Sequence, residues 1–136
     1  MTNSQTYPTS VAPAPGKAMK VTGWVLWAIA VPFLLMDITF HLAQPAPVIE
    51  SCQKLQIPIS AMLPLGLVQL ACLALYLIPR TAVLGAVLLT GYLGGAVAIH
   101  MRVGDPLWFP IVFGAIIWGS LYCRDARVRN LFSLDK

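Results

Sequence analysis

The chain has 136 residues, of which 58% are hydrophobic and only 10% are charged, and its mean hydropathy is +0.77. This composition excludes an ordinary soluble domain and predicts an all-α integral membrane protein, because lipid offers no partners to open sheet edges. The formal charge of +4 does not indicate nucleic acid, since the nine Lys and Arg residues form no basic stripe. We therefore expect a single membrane domain whose first partner is the lipid bilayer.

The predicted elements begin with a polar tail over residues 1–20, which contains three prolines and is expected to be disordered and cytoplasmic. Four apolar segments follow, over residues 21–40, 57–78, 82–100 and 107–123. At about 1.5 Å of rise per residue each segment is long enough, the last marginally, to cross a hydrocarbon core of about 30 Å. The prediction is a transmembrane four-helix bundle over residues 21–131, with a C-terminal tail over residues 132–136.

The basic residues indicate the orientation of this bundle. Lys54 and Arg102 fall on one side of the four segments, and the other seven fall on the opposite side: Lys17, Lys20, Arg80, Arg124, Arg127, Arg129 and Lys136. The side richer in Lys and Arg faces the cytoplasm, so we expect both termini there and the loop over residues 42–55 on the outer face. The expected localisation is a bacterial inner membrane, which the chain crosses several times.

Polar residues from two predicted helices fall at similar depth. Asp37 and His41 are four residues apart, so they share a face of the first helix near its outer end. His100 and Arg102 end the third helix at the same level, and Tyr92 lies two turns before His100 on one face. These five residues are the candidate polar pocket, because titratable groups in a span are commonly kept for a partner, a pathway or a proton. The alternative is that Asp37 pairs with Arg102 or His41 only to hold helices together.

Small and polar residues predict how the helices pack. Gly91, Gly94 and Gly95 favour close approach of another helix, either within the bundle or from a second copy of the chain. Gln69 and Thr90 lie near mid-membrane on the predicted hairpin of the second and third helices, and we expect them to contact each other.

Two prolines predict a cavity. Pro32 and Pro64 each remove a backbone donor from a predicted helix, which favours kinks and a space between the first two helices.

The cysteines and histidines do not form a recognisable metal centre. Cys52, Cys72 and Cys123 fall at different heights, so no disulfide is expected between them. The sequence contains no CxxC, CxxCH or HExxH motif, and we predict no metal site. The alternative is that His41 and His100 serve as axial ligands of a haem or join Asp37 in a metal site.

One stretch of sequence resembles a known family. The residues are PRTAVLGA at 79–86 and LTGYLGGA at 89–96, followed by His100 and Arg102, with a closing set of Trp118, Leu121, Arg124, Asp125 and Arg129. Over about residues 22–131 the chain resembles the DoxX-like family of small four-helix membrane proteins. Relatives named DoxX resemble a subunit of a thiosulfate:quinone oxidoreductase, and others associate with thiol and oxidative-stress enzymes at the membrane. The resemblance therefore implies a redox setting, with a quinone as the candidate cofactor and a redox enzyme as the candidate partner.

The functional hypothesis is a quinone-linked or redox-associated membrane subunit, in which Asp37, His41 and His100 shape a proton-bearing pocket. One alternative is a small-molecule transporter, because four short spans with an acid in the first resemble small multidrug exporters. The seven-to-two charge bias argues against it, since such exporters assemble in opposed orientations. The other alternative is a non-catalytic assembly subunit. Homo-oligomerisation through the glycines of the third helix stays open in each case.

Overall fold

The computed structural model describes residues 14–132, so the expectations for residues 1–13 and 133–136 lie outside the described residues. Within that range every regular element is helical, which confirms the all-α prediction. The elements are α1 (Lys17–Ala43), α2 (Ala46–Lys54), a 3-10 turn (Ile59–Ala61), α3 (Met62–Leu77), α4 (Ala82–Val103), α5 (Trp108–Arg124) and α6 (Ala126–Phe132).

Three helical segments are long and apolar enough to cross a membrane. They have 27, 19 and 22 residues: Lys17–Ala43, Ile59–Leu77 and Ala82–Val103. α5 is also apolar but has only 17 residues. The chain is therefore a multi-pass membrane protein, whereas the expected count of four helices is not confirmed, because residues 14–132 form six α-helices.

The four longest helices enclose one core. α1 contacts α3 and α5, and α4 contacts the same two helices, so α1 and α4 lie across the core from each other. The largest side chains that are completely buried there include Tyr76, Leu34, Leu73, Leu89 and Ile117. Apolar side chains also cover much of the outer surface, as expected for helices whose outward faces meet lipid.

α3 and α4 form a hairpin with a connection of four residues, 78–81. Thr81 stabilises the turn, since its hydroxyl donates to the backbone carbonyl of Leu75 at 2.8 Å. Close approach of the two helices depends on Gly85, because a Cβ placed there would overlap the backbone nitrogen of Tyr76.

Helix bounds differ from the predictions at both ends of the chain. α1 begins at Lys17, so the last four residues of the segment expected to be disordered are helical. α6 occupies most of the residues that follow the fourth apolar segment. Asp125 caps it, because its carboxylate accepts a hydrogen bond from the backbone N–H of Arg127 at 2.9 Å.

The region predicted as an outer loop, residues 42–55, contains a helix. Gln44 ends α1 in the left-handed conformation, with φ of 48°, and α2 then begins with proline in its first turn, where no backbone donor is needed. Hydropathy alone missed α2 because the helix is short and amphipathic, with an apolar side at Val48, Cys52 and Leu55.

Candidate functional site

A cavity of about 460 Å³ lies at the end of the helices where α1 and α4 finish. Residues from all of α1 to α5 line it, and most of them are apolar. The cavity was predicted between the first two spanning helices, but α2, α4 and α5 also contribute to its wall. Pro64 is not the cause, since it lies in the first turn of α3, where its missing donor breaks no helical hydrogen bond.

Aromatic rings form part of the wall. Phe33 of α1 packs against Phe109 and Phe113 of α5, with ring centroids 5.2 Å and 4.0 Å away. The two α5 rings are 4.9 Å apart. These packed aromatic rings make this part of the wall a suitable surface for a flat, conjugated ligand.

The polar part of the wall comes from three helices. Gln69 of α3 donates a hydrogen bond from Nε2 to Oδ2 of Asp37 on α1, at 2.9 Å. His41 lies one turn after Asp37, and its Nε2 lies 3.4 Å from the hydroxyl oxygen of Tyr92 on α4. We call Asp37, His41, Gln69 and Tyr92 the polar network. Three of them were predicted as pocket residues, and in the structure all four line the cavity.

The hydrogen bonds of His41 determine where its proton sits. Nδ1 of His41 lies 2.8 Å from the backbone carbonyl oxygen of Asp37. A carbonyl oxygen only accepts, so Nδ1 carries a hydrogen, and in the neutral ring Nε2 is then the acceptor for the hydroxyl of Tyr92. Nδ1 is also 3.7 Å from Oδ2 of Asp37, which is too long for a hydrogen bond.

His100 lines the cavity at the end of α4, beside a charged pair. Lys54 of α2 and Asp105 form an ion pair at 2.8 Å, and Nδ1 of His100 lies 3.6 Å from the other carboxylate oxygen of Asp105. That distance is too long for a hydrogen bond. The hydrogen bond from Lys54 holds the pKa of Asp105 below its ordinary value, and the charges of Lys54 and His100 act in the same direction.

Arg102 does not belong to the cavity, although it was predicted as a pocket residue. Its guanidinium donates to the backbone carbonyls of Leu55 and Gln56, at 3.0 Å and 3.3 Å. It therefore contacts neither Asp37 nor His41, and it instead fixes the end of α2 against α4. Together with the pair of Lys54 and Asp105, this contact holds α2 over the cavity.

The predicted helix-packing residues have other surroundings. A Cβ placed on Gly91, Gly94 or Gly95 would meet no atom within 4 Å beyond its own helix backbone, so these glycines do not bring two helices of one chain together. Gly95 instead lines the cavity. No hydrogen bond joins Gln69 to Thr90 in the described part of the chain.

Thr90 has partners of its own, which explains why it does not reach Gln69. Its hydroxyl donates to the carbonyl of Ala86 at 2.8 Å and accepts from Nε1 of Trp118, also at 2.8 Å. The mid-membrane hydroxyl thus joins α4 to α5 rather than to α3.

Several wall residues were not predicted. Ser51 and Cys52 of α2 line the cavity, as do the three phenylalanines described above. Cys52 is a buried free thiol. The signal that could have identified the α2 residues is the spacing of Val48, Ser51, Cys52 and Leu55, which repeats every three or four residues and marks one face of a helix.

Fold and site together define a small all-helical, multi-pass membrane protein with a largely apolar cavity and a polar network in its wall. The sequence model of the DoxX-like family matches residues 25–120. This match covers more than half of the chain and includes the polar network, so the chain belongs to the DoxX-like family. No match was found among curated proteins or among solved structures.

Proposed function

We propose that the protein is a membrane subunit that binds the headgroup of a quinone in the cavity and works beside a redox enzyme. The observation that carries the proposal is the composition of the cavity wall, which combines three packed phenylalanine rings with the polar network. The redox setting implied by the resemblance to DoxX supports the choice of ligand.

A quinone headgroup fits this wall in size and in chemistry. Small-molecule sites in proteins have volumes of roughly 300 to 1,000 Å³ and use few polar groups among many apolar ones. Phe33, Phe109 and Phe113 contact the flat ring, and the polar network lies beside its two oxygens. The apolar side chains at the edge of the cavity accommodate the start of the isoprenoid tail.

The polar network also suits the protons of quinone chemistry. A bound quinone supplies a redox reaction of two electrons and two protons, and the electrons belong to the proposed partner enzyme. Asp37 and His41, a carboxylate and an imidazole in one network, hold and exchange protons at the cavity. If the positive-inside bias sets the orientation, this exchange takes place at the outer face.

The first experiment asks what accompanies the purified protein. The full chain is isolated in mild detergent, its lipids are extracted and analysed for quinones, and co-purifying proteins are identified by mass spectrometry. We expect a quinone at a substantial fraction of the protein concentration, together with a redox enzyme. A preparation that contains neither, and that binds no added quinone, contradicts the proposal and favours the assembly subunit.

The second experiment fills the cavity. In Gly95→Met the new side chain enters the cavity without overlapping the backbone, because a Cβ at this glycine meets no atom within 4 Å. The matched control is Gly91→Met, one helical turn earlier, which does not line the cavity. Both changes replace glycine by a better helix former, so both variants should fold.

We expect Gly95→Met to weaken binding of a short-chain ubiquinone analogue at least about tenfold and Gly91→Met to leave binding unchanged. Because both glycines lie on one face, an effect that acted through a second copy of the chain would appear in both variants. Equal affinities in the two variants would place the ligand outside the cavity.

A further inference from the structure

Gln69 is the most deeply buried member of the polar network. Its side chain is 0% exposed. Nε2 donates to Asp37, but Oε1 has no hydrogen-bond partner among the residues that the structure describes. Buried amide oxygens are nearly always paired, so this acceptor indicates a donor that comes from elsewhere.

The orientation of the Gln69 amide follows from its neighbour. A carboxylate oxygen only accepts hydrogen bonds, so the nitrogen of the amide must face Oδ2 of Asp37 and the oxygen must point away from it. Rotating the amide by half a turn would place Oε1 against Oδ2 of Asp37. Two acceptor oxygens would then face each other, and Oε1 would still have no donor. The unpartnered atom at this part of the cavity wall is therefore an acceptor.

The hydrogens of the nearby donors are already committed. The hydroxyl of Ser51 donates to the carbonyl of Pro47 at 2.9 Å, and Nδ1 of His41 donates to the carbonyl of Asp37. The single hydrogen of Tyr92 serves Nε2 of His41 when that ring is neutral. Two buried side-chain atoms of cavity-lining residues lack a hydrogen-bond partner among the described residues, Oε1 of Gln69 and Nδ1 of His100, and only Oε1 is an acceptor in every state of its side chain.

We propose that the cavity recognises a hydrogen-bond donor on its ligand and so prefers the reduced quinol to the oxidised quinone. This inference rests on the proposed function. A quinol carries two hydroxyl groups, and one of them donates to Oε1 of Gln69. The oxygens of a quinone only accept, and at the same position they would face this acceptor and leave it without a donor.

The experiment compares three ligands of one carbon skeleton on the full chain in mild detergent under anaerobic conditions. They are decylubiquinone, decylubiquinol and the dimethyl ether of decylubiquinol, which is reduced but has no hydroxyl hydrogen. Affinities come from the shift of the thermal unfolding midpoint with ligand concentration. We expect the quinol to bind about tenfold more tightly than the quinone, and the ether to bind no better than the quinone.

Variants assign the preference to Gln69. Gln69→Met keeps the length of the side chain and removes the amide, and we expect the affinities for quinol and quinone to become equal within about twofold. The control is Gln53→Met in α2, which does not line the cavity and should keep the tenfold preference. Should Gln69→Met fail to fold, the affinities of the three ligands for the unmodified protein still test whether the cavity prefers the quinol.

The outcomes separate this inference from the proposed function. Equal affinity for quinol and quinone, or tighter binding of the quinone, overturns the inference and leaves the quinone site standing. A preference that persists in Gln69→Met also overturns it, because another group then recognises the hydroxyl. Failure of all three ligands to bind overturns both proposals.

Discussion

The hydroxyl oxygen of Tyr92 lies 3.4 Å from Nε2 of His41, and this contact links α4 to α1 across the cavity. The two residues are 51 positions apart in the sequence. His41 is fixed from the other side by the carbonyl of Asp37, so its ring cannot turn without losing a hydrogen bond of 2.8 Å. Tyr92 therefore meets an acceptor whose position is set before any ligand arrives.

Replacing Tyr92 by phenylalanine tests the role of this hydroxyl. We expect Tyr92→Phe to cost about 1 kcal/mol of stability or less, because the existing contact is long and the ring still packs. We expect quinone affinity to fall about threefold to tenfold, since His41 then loses one of the two hydrogen bonds that hold its ring in the cavity wall. The measurements are thermal unfolding and ligand titration in mild detergent. Tyr122→Phe, at an exposed tyrosine outside the cavity, is the matched control; a similar loss of affinity in both variants contradicts the assignment.

A methyl group on Gly85 should destabilise the α3–α4 hairpin. A Cβ at this position would overlap backbone atoms of Tyr76 and Leu75, which cannot move aside as a flexible side chain does. We expect Gly85→Ala to cost about 1 to 3 kcal/mol, although alanine is the better helix former. Gly94→Ala is the control, because a methyl group there meets open space and should leave the unfolding midpoint unchanged or raise it. Equal midpoints for the two variants would show that the helices can separate without cost.

The contrast between these glycines shows how far sequence reasoning reaches. Apolar runs predicted the long helices and the hairpin, because hydropathy and length depend on local sequence alone. The sequence predicted close packing at Gly91 and Gly95, whereas the structure has it at Gly23, Gly66 and Gly85. A small residue allows close approach, but the rotation of its helix decides whether a neighbour is there, and that rotation depends on the whole core.

In the candidate site, too, the sequence predicted some features and missed others. Asp37, His41 and His100 were predicted to share a depth, which follows from helix length and direction, and all three line the cavity. Arg102 was predicted with them and faces α2 instead. Depth is encoded locally, whereas the direction of a long side chain at a helix end depends on partners, and α2 was not predicted.

Low pH should weaken the ion pair between Lys54 of α2 and Asp105. The pKa of Asp105 is held below its ordinary value of 3.8, chiefly by the hydrogen bond from Lys54. A carboxylate with a lowered pKa in the folded state stabilises that state above its ordinary pKa, and the stabilisation is lost as the pH falls through the lowered value. The contact between α2 and Asp105 should therefore be complete at pH 5 to 7 and weaken below about pH 4.

Hydrogen exchange over residues 46–54 measures this contact. At pH 7 we expect faster exchange in Asp105→Asn than in the unmodified protein, and we expect the difference to shrink as the pH falls through the lowered pKa of Asp105, because protonation then removes the same charge. Asp125→Asn is the control, since Asp125 pairs with Arg127 away from the cavity. A difference of the same size at every pH down to full protonation of the carboxylate would mean that its charge does not hold α2.

The direction of α5 determines where the C-terminus lies. Its 17 residues span about 25 Å, less than the hydrocarbon core of about 30 Å, so length alone does not decide whether it crosses. Its contacts with α1 are more informative. Phe113 packs on Phe33, and one end of α5 meets the start of α1, where Ser120 donates to the carbonyl of Gly23 at 3.0 Å.

α5 thus runs antiparallel to α1 from the cavity to the level of Gly23. If α1 crosses the membrane, α5 returns through the same layer, and the charge bias predicts that both termini are cytoplasmic. We expect green fluorescent protein to fluoresce when fused to either terminus, and alkaline phosphatase to be inactive at both but active when inserted after Glu50. An active phosphatase at the C-terminus alone would mean that only three helices cross and that α5 lies within one leaflet.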